Sequence, residues 1–139
     1  MAGGRPSGPK NRCGKRWTEA RYRSFIISAL RQASRRWAPV TDVDRAATTK
    51  RGFRLCAGCN QEVPVTTKEK GRKVKNTFVD HIKPVVDPAV GFTTWDDYIE
   101  RMFCEADNLQ VLCKACHDAK SEEEKAIAVE RRRKEKELD

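Results

Sequence analysis

At 139 residues the chain has room for one domain and an appendage but not for two large cores, and without any run of 18 apolar residues it offers no membrane-spanning helix. Charged residues make up 35% and hydrophobic ones 38%, so the apolar core must be modest and a metal staple would add disproportionately to stability. The net charge of +9 is uneven: residues 1–54 carry 14 Lys and Arg against 3 Asp and Glu, whereas residues 55–139 carry 15 against 17, and a basic excess confined to one part of a chain is the footprint of a polyanion binder rather than of a generally soluble surface.

Residues 1–16 are rich in Gly, Pro, Lys and Arg and read as a disordered basic arm; they lack the apolar stretch of a secretory signal. A helix is expected over 18–37, with Thr18 as its cap, Pro39 as its stop, and Tyr22, Phe25, Ile26, Ala29, Leu30, Ala33 and Trp37 forming one stripe at helical period. Arg21, Arg23, Arg31, Arg35 and Arg36 lie largely off that stripe, where they are either a solvated face or contacts to phosphate. Residues 40–54 read as a polar connector and 61–76 as a loop or irregular hairpin. A short β-prone run follows at 77–82, ended by Pro84 and Pro88. A helix is expected over 95–103, capped by Thr94, with Asp96 and Asp97 in its first turn. Asp107 and Asn108 then turn the chain into a second strand at 109–112. A last helix begins near Cys116, with Ala119, Ala126 and Ile127 expected to face the core and a Glu130–Lys134 pair on a fraying, charged end.

Four of the six cysteines form two Cys-x-x-Cys pairs, Cys56/Cys59 and Cys113/Cys116. Two such pairs supply the four thiolates that a structural zinc ion takes in tetrahedral geometry. A redox dithiol would need only one pair, and disulfides would need an exported chain, so the expected compartment is a reducing one, the cytoplasm. Gly58 lies between two ligands, where a tight knuckle has to bend. Zinc at this position would close a loop of more than fifty residues that packing alone closes at high entropic cost. Cys13 and Cys104 lack ligand spacing.

The chain has only two histidines, His81 and His117. Adjacent helical residues differ by about 100° in direction, so Cys116 can face zinc while His117 faces a second centre. Asp80 and His117 could then share one divalent ion, leaving His81, the next residue on the strand, free to act as a base.

The segments Val79-Asp80-His81-Ile82-Lys83-Pro84, Asp107-Asn108-Leu109-Gln110-Val111-Leu112-Cys113 and Lys114-Ala115-Cys116-His117, followed by Lys120-Ser121, resemble the HNH endonucleases. The likeness covers residues 55 to about 125. The helix with Ala33-Ser34-Arg35-Arg36-Trp37 also looks like phage-encoded members, including those classed as homing endonucleases. The resemblance implies an α+β fold: a small zinc-stapled ββα-metal domain with an N-terminal amphipathic helix and a long C-terminal helix. Its expected divisions are an arm at 1–16, a basic helix and connector at 17–54, the nuclease domain at 55–128 and a charged tail at 129–139. It implies hydrolysis of phosphodiester bonds in double-stranded DNA with His81 as general base, Asn108 as an orienting residue, and Asp80 and His117 holding one Mg2+ or Mn2+ ion beside the structural zinc. No small-molecule substrate and no membrane is expected, and a homodimer is one option. Homing and DNA packaging are both open as biological roles, the latter including binding of a protein partner through the charged tails. The alternative is a zinc module that binds nucleic acid without cutting it, with the histidines incidental.

Overall fold

The computed structural model describes residues 8–138, and the chain divides into two compact units, Met1–Arg36 and Trp37–Asp139. The described residues make a small mixed α+β protein with four α-helices and short antiparallel sheets. None of the helices is long and apolar enough to cross a membrane.

In the first unit, positions 1–7 of the expected arm lie outside the described residues. At Arg12 the chain turns back on itself: Arg12 and Trp17 exchange backbone hydrogen bonds of 3.0 Å across a turn. The Arg12 guanidinium grips the Glu19 carboxylate at 2.8 Å and lies 4.3 Å from the Tyr22 ring, local contacts that composition does not reveal. Helix α1 (Glu19–Ser34) starts where expected, with the Thr18 hydroxyl accepting from the Arg21 amide at 3.2 Å. It stops at Ser34, well before Pro39. That proline instead occupies the first turn of α2 (Ala38–Ala46), where an amide N–H would have no helical partner anyway. No residue of α1 is buried, and Phe25 on the stripe is 58% exposed, its ring tilted 55° against Trp17 with centroids 5.1 Å apart.

In the second unit, the stretch 40–54 is not a connector. It holds most of α2 and the strands β1 (Thr48–Lys50) and β2 (Phe53–Leu55), which with β3 (Glu62–Pro64) form an antiparallel sheet in the order β1-β2-β3. At three residues each, these strands are too short to show an alternating pattern in the sequence. β4 (Thr66–Glu69) and β5 (Arg72–Lys75) are a regular hairpin, reversed by Lys70 and Gly71 at φ 51° and 78°, the paired left-handed conformation that suits the strand twist.

The centre of the unit is a third pair, β6 (Thr77–His81) against β7 (Leu109–Cys113), in antiparallel register from Thr77↔Cys113 to His81↔Leu109. Between them runs α3 (Trp95–Met102), whose cap Thr94 accepts from the Asp97 amide at 3.1 Å, and a single 3-10 turn, Ala106–Asn108. The core follows β7: Leu109, Val111, Leu112 and Cys113 are buried, joined by Cys56, Tyr98 and Met102. The chain leaves β7 directly into α4 (Lys114–Glu137), which packs back on β6 and β7.

The rotation of α4 departs from the sequence expectation. Ala119, Ala126 and Ile127 are exposed, and the half-buried face carries His117, Lys120, Ser121, Glu124, Ala128 and Arg131. Cys116 must reach the other cysteines and Lys120 pairs with a carboxylate on β6, and these polar requirements set the helix phase ahead of those three apolar side chains. α4 is helical as far as Glu137. Arg133 bridges Glu130 and Glu137 at 2.6 Å each, in place of the expected Glu130–Lys134 pair.

Candidate metal centre and strand-end site

The four cysteines come from three elements. Cys56 and Cys59 lie in the turn between β2 and β3, Cys113 ends β7, and Cys116 sits in the first turn of α4. Their sulfurs all lie within 4.8 Å of one another, and among the described residues this is the one group of three or more Cys, His, Asp or Glu side chains gathered closely enough to hold a metal ion. The turn is docked on β7 by the Ala57 amide donating to the Val111 carbonyl at 2.8 Å, and the Cys113 amide donates to the Cys56 sulfur at 3.2 Å. Burial opposes ionisation of Cys56, yet the amides of Cys113, Cys59 and Gly58 outweigh it and bring the thiol down to about 6. Cys116, crowded by Cys113 and Cys56, is pushed up to about 12. One thiolate is thus favoured and four together are not, the electrostatic demand that a bound cation meets. Tetrahedral S4 donor chemistry fits zinc.

Gly58 has a reason other than the bend assigned to it. Its φ is not positive; Asn60, at φ 58°, reverses the chain. A Cβ on Gly58 would stand 3.0 Å from both Cβ and Sγ of Cys116. Gly58→Ala is therefore expected to cost about 1–3 kcal/mol and to speed loss of zinc to a chelator, read by melting and a colorimetric metal assay. Unchanged retention would mean that the knuckle yields freely.

The second group of residues lies where β6 ends. Alternation along the strand sends Phe78 and Asp80 toward α4 and His81 toward α3. His81 Nε2 is 2.9 Å from the Met102 carbonyl oxygen. A carbonyl can only accept, so Nε2 carries the proton and the lone pair of the neutral ring resides on Nδ1. Asn108 clamps the chain just past this histidine: its Oδ1 accepts from the Lys83 amide at 2.9 Å, its Nδ2 donates to the Lys83 carbonyl at 3.2 Å, and its own carbonyl accepts from the Ile82 amide at 2.8 Å.

On the α4 side, two contacts run side by side between strand and helix. The His117 ring stacks on Phe78, centroids 4.5 Å apart and 18° from parallel. Lys120, one turn further along α4, places Nζ 3.0 Å from Asp80 Oδ2, the oxygen that also accepts from Gln110 Nε2 at 3.1 Å. His117 Nδ1 is buried without a hydrogen-bond partner, since the nearest carboxylate oxygen, on Asp118, is 3.7 Å away. Asp80 and His117 therefore share a side of the strand and occupy neighbouring contacts, each with a different partner.

Sequence reasoning missed Lys120 as part of this site. Its Nζ also donates to the His81 carbonyl at 2.8 Å and to Glu124 at 2.7 Å. Burial disfavours its charge, but Glu124 and Asp80 more than compensate and raise its pKa above that of an ordinary lysine. Its position three residues after His117 on one helix was the available signal. Arg21, Arg23, Arg31, Arg35 and Arg36 are all exposed in the first unit, with Arg21 lying 5.0 Å from the Trp17 ring. Cys13 is exposed and Cys104 half-buried, and neither belongs to the cysteine cluster. Comparisons with protein-family models, characterised proteins and solved structures yield no match.

Proposed function

We propose that this chain is an HNH-type endonuclease that hydrolyses phosphodiester bonds in double-stranded DNA, with β6, β7 and α4 as its ββα-metal element and zinc at the four cysteines as a structural staple. The observation that carries this reading is the paired arrangement at one strand end. A carboxylate and an imidazole on adjacent residues face opposite sides, and the imidazole is held by a carbonyl in the tautomer a general base requires.

In this reading His81 Nδ1 takes the proton of the attacking water, while Met102 fixes the ring's tautomer and direction. Asn108 ties down the backbone that follows His81, so the ring is presented at constant height above the phosphate. Asp80 and His117 would hold a divalent ion, Mg2+ or Mn2+. The donor set fits, because the unpartnered buried Nδ1 of His117 and the Asp80 carboxylate offer the mixed nitrogen and oxygen ligands such ions accept. When bound, the ion supplies Lewis acidity to the phosphate and to the departing 3′ oxygen. The exposed arginines of the first unit would grip phosphates without reading sequence.

The test is incubation of zinc-loaded protein with supercoiled plasmid and Mg2+ or Mn2+. Open-circle or linear product that EDTA abolishes is expected, and intact plasmid with either ion would remove the enzyme reading. Asn108→Ala is expected to lower kcat about 10–100-fold with DNA affinity and zinc content kept, since it loosens His81 without touching substrate. A loss confined to affinity would reassign Asn108 to DNA binding.

One observation favours a second reading, a zinc module that binds nucleic acid without cutting. Lys120 already neutralises Asp80 at 3.0 Å, which suits a carboxylate with a purely structural part. Robust DNA binding with no cleavage under either ion would select it.

A further inference from the structure

The Asp80 carboxylate has a cation on it, and the way that cation is held points to more than a structural ion pair. Lys120 Nζ makes three contacts in one place: Asp80 Oδ2 at 3.0 Å, the His81 carbonyl at 2.8 Å and Glu124 Oε1 at 2.7 Å. Its side chain is 24% exposed and that of Asp80 14%, so water screens the pair only partly. Glu124 lies four residues further along α4, the spacing at which it can keep the ammonium without help from β6. Lysine also has a flexible four-carbon stem and a point charge, which suits a group that must move between two anionic seats.

We infer that Lys120 is a built-in cation that occupies the Asp80 carboxylate until a divalent ion displaces it, with Glu124 as the seat to which the ammonium retires. This deepens the nuclease reading and rests on its assignment of Asp80 and His117 as ligands. The physical reason is like-charge repulsion: an ammonium and a dication on one carboxylate oxygen would stand a few ångströms apart in a partly desolvated site. Ion capture therefore includes the cost of moving Lys120. Lys120 is a positioning residue in this account, holding the carboxylate and the His81 backbone in register while the ion is away.

The experiment measures Mn2+ binding to the zinc-loaded full chain without DNA, by the electron paramagnetic resonance signal of free Mn2+. The proteins are the wild type, Lys120→Gln, Lys120→Met, Glu124→Gln, and Lys120→Gln combined with Asp80→Asn. Zinc stoichiometry and circular dichroism verify that each is folded, and Lys120→Gln, which keeps a donor for the His81 carbonyl, guards against a collapse in Lys120→Met.

Removing the competing ammonium is expected to tighten Mn2+ binding about tenfold, the worth of one charge-assisted contact, and Asp80→Asn should cancel the gain. Glu124→Gln should weaken binding, because the ammonium loses its second seat and presses harder on Asp80. Wild-type binding that Lys120→Gln leaves unchanged or weakens would overturn the displacement idea and leave the ligand assignment standing. No Mn2+ binding in any variant would overturn both.

Discussion

His81→Ala is expected to lower the rate of DNA cleavage about 10²–10⁴-fold, the usual contribution of a positioned general base, with zinc content and DNA affinity retained. His81 lies at the end of β6, its side chain half-buried and bonded to one carbonyl, so no core cluster depends on it. The alanine leaves the Met102 carbonyl without a side-chain donor, which costs about 1–3 kcal/mol if water cannot replace it. His81→Gln is therefore the sharper companion: its amide can donate to the same carbonyl but cannot take a proton from water at neutral pH. Both variants should lose cleavage alike. An active His81→Gln protein would make the ring a spacer, and full activity in His81→Ala would strip it of any part in the chemistry.

Cys59→Ser is expected to remove several kcal/mol of stability, a large share of the roughly 5–15 kcal/mol available to a small domain. Cys59 is the informative position because it is exposed, whereas Cys56 is fully buried and its replacement would also disturb packing. A serine at 59 keeps size and polarity and loses only the thiolate. With zinc weakened, Cys113 and Cys116 lose their tie to the turn between β2 and β3, and the small core around Cys56, Leu112 and Val63 loses one wall. Thermal melting with and without a chelator measures this: the wild type should fall to the variant's midpoint when zinc is stripped, and the variant should not respond. A wild type indifferent to the chelator would deny zinc a structural part.

The parts of this protein that were legible in its sequence are those governed by local rules. Thr18 and Thr94 cap helices because a short side-chain oxygen meets an orphan amide, and both were visible as threonine before a periodic run. The cysteine spacing announced a metal-sized cluster because two residues between ligands set a knuckle turn. Long-range requirements were not visible. Ala119, Ala126 and Ile127 read as a core face, but a helix anchored at its first turn by Cys116 and on β6 by Lys120 has no freedom to turn them inward. Strands β1 to β3 escape detection because each is only three residues long, too short to establish a period, and β1 is polar throughout. Gly58 does lie in the knuckle turn, but the crowding of its position by Cys116, nearly sixty positions away, is a long-range contact that the sequence does not display. Lys120 went unread as a site residue because its partners on β6 appear only once the helix has folded back.

Anomalous diffraction at the manganese edge, from crystals of the zinc-loaded protein soaked in Mn2+, would decide the matter at atomic level. The expected result is one manganese peak within bonding distance of an Asp80 carboxylate oxygen and a His117 nitrogen, apart from the zinc peak among the sulfurs. A map with zinc in place and no manganese near either residue would leave the proposed chemistry without its ion.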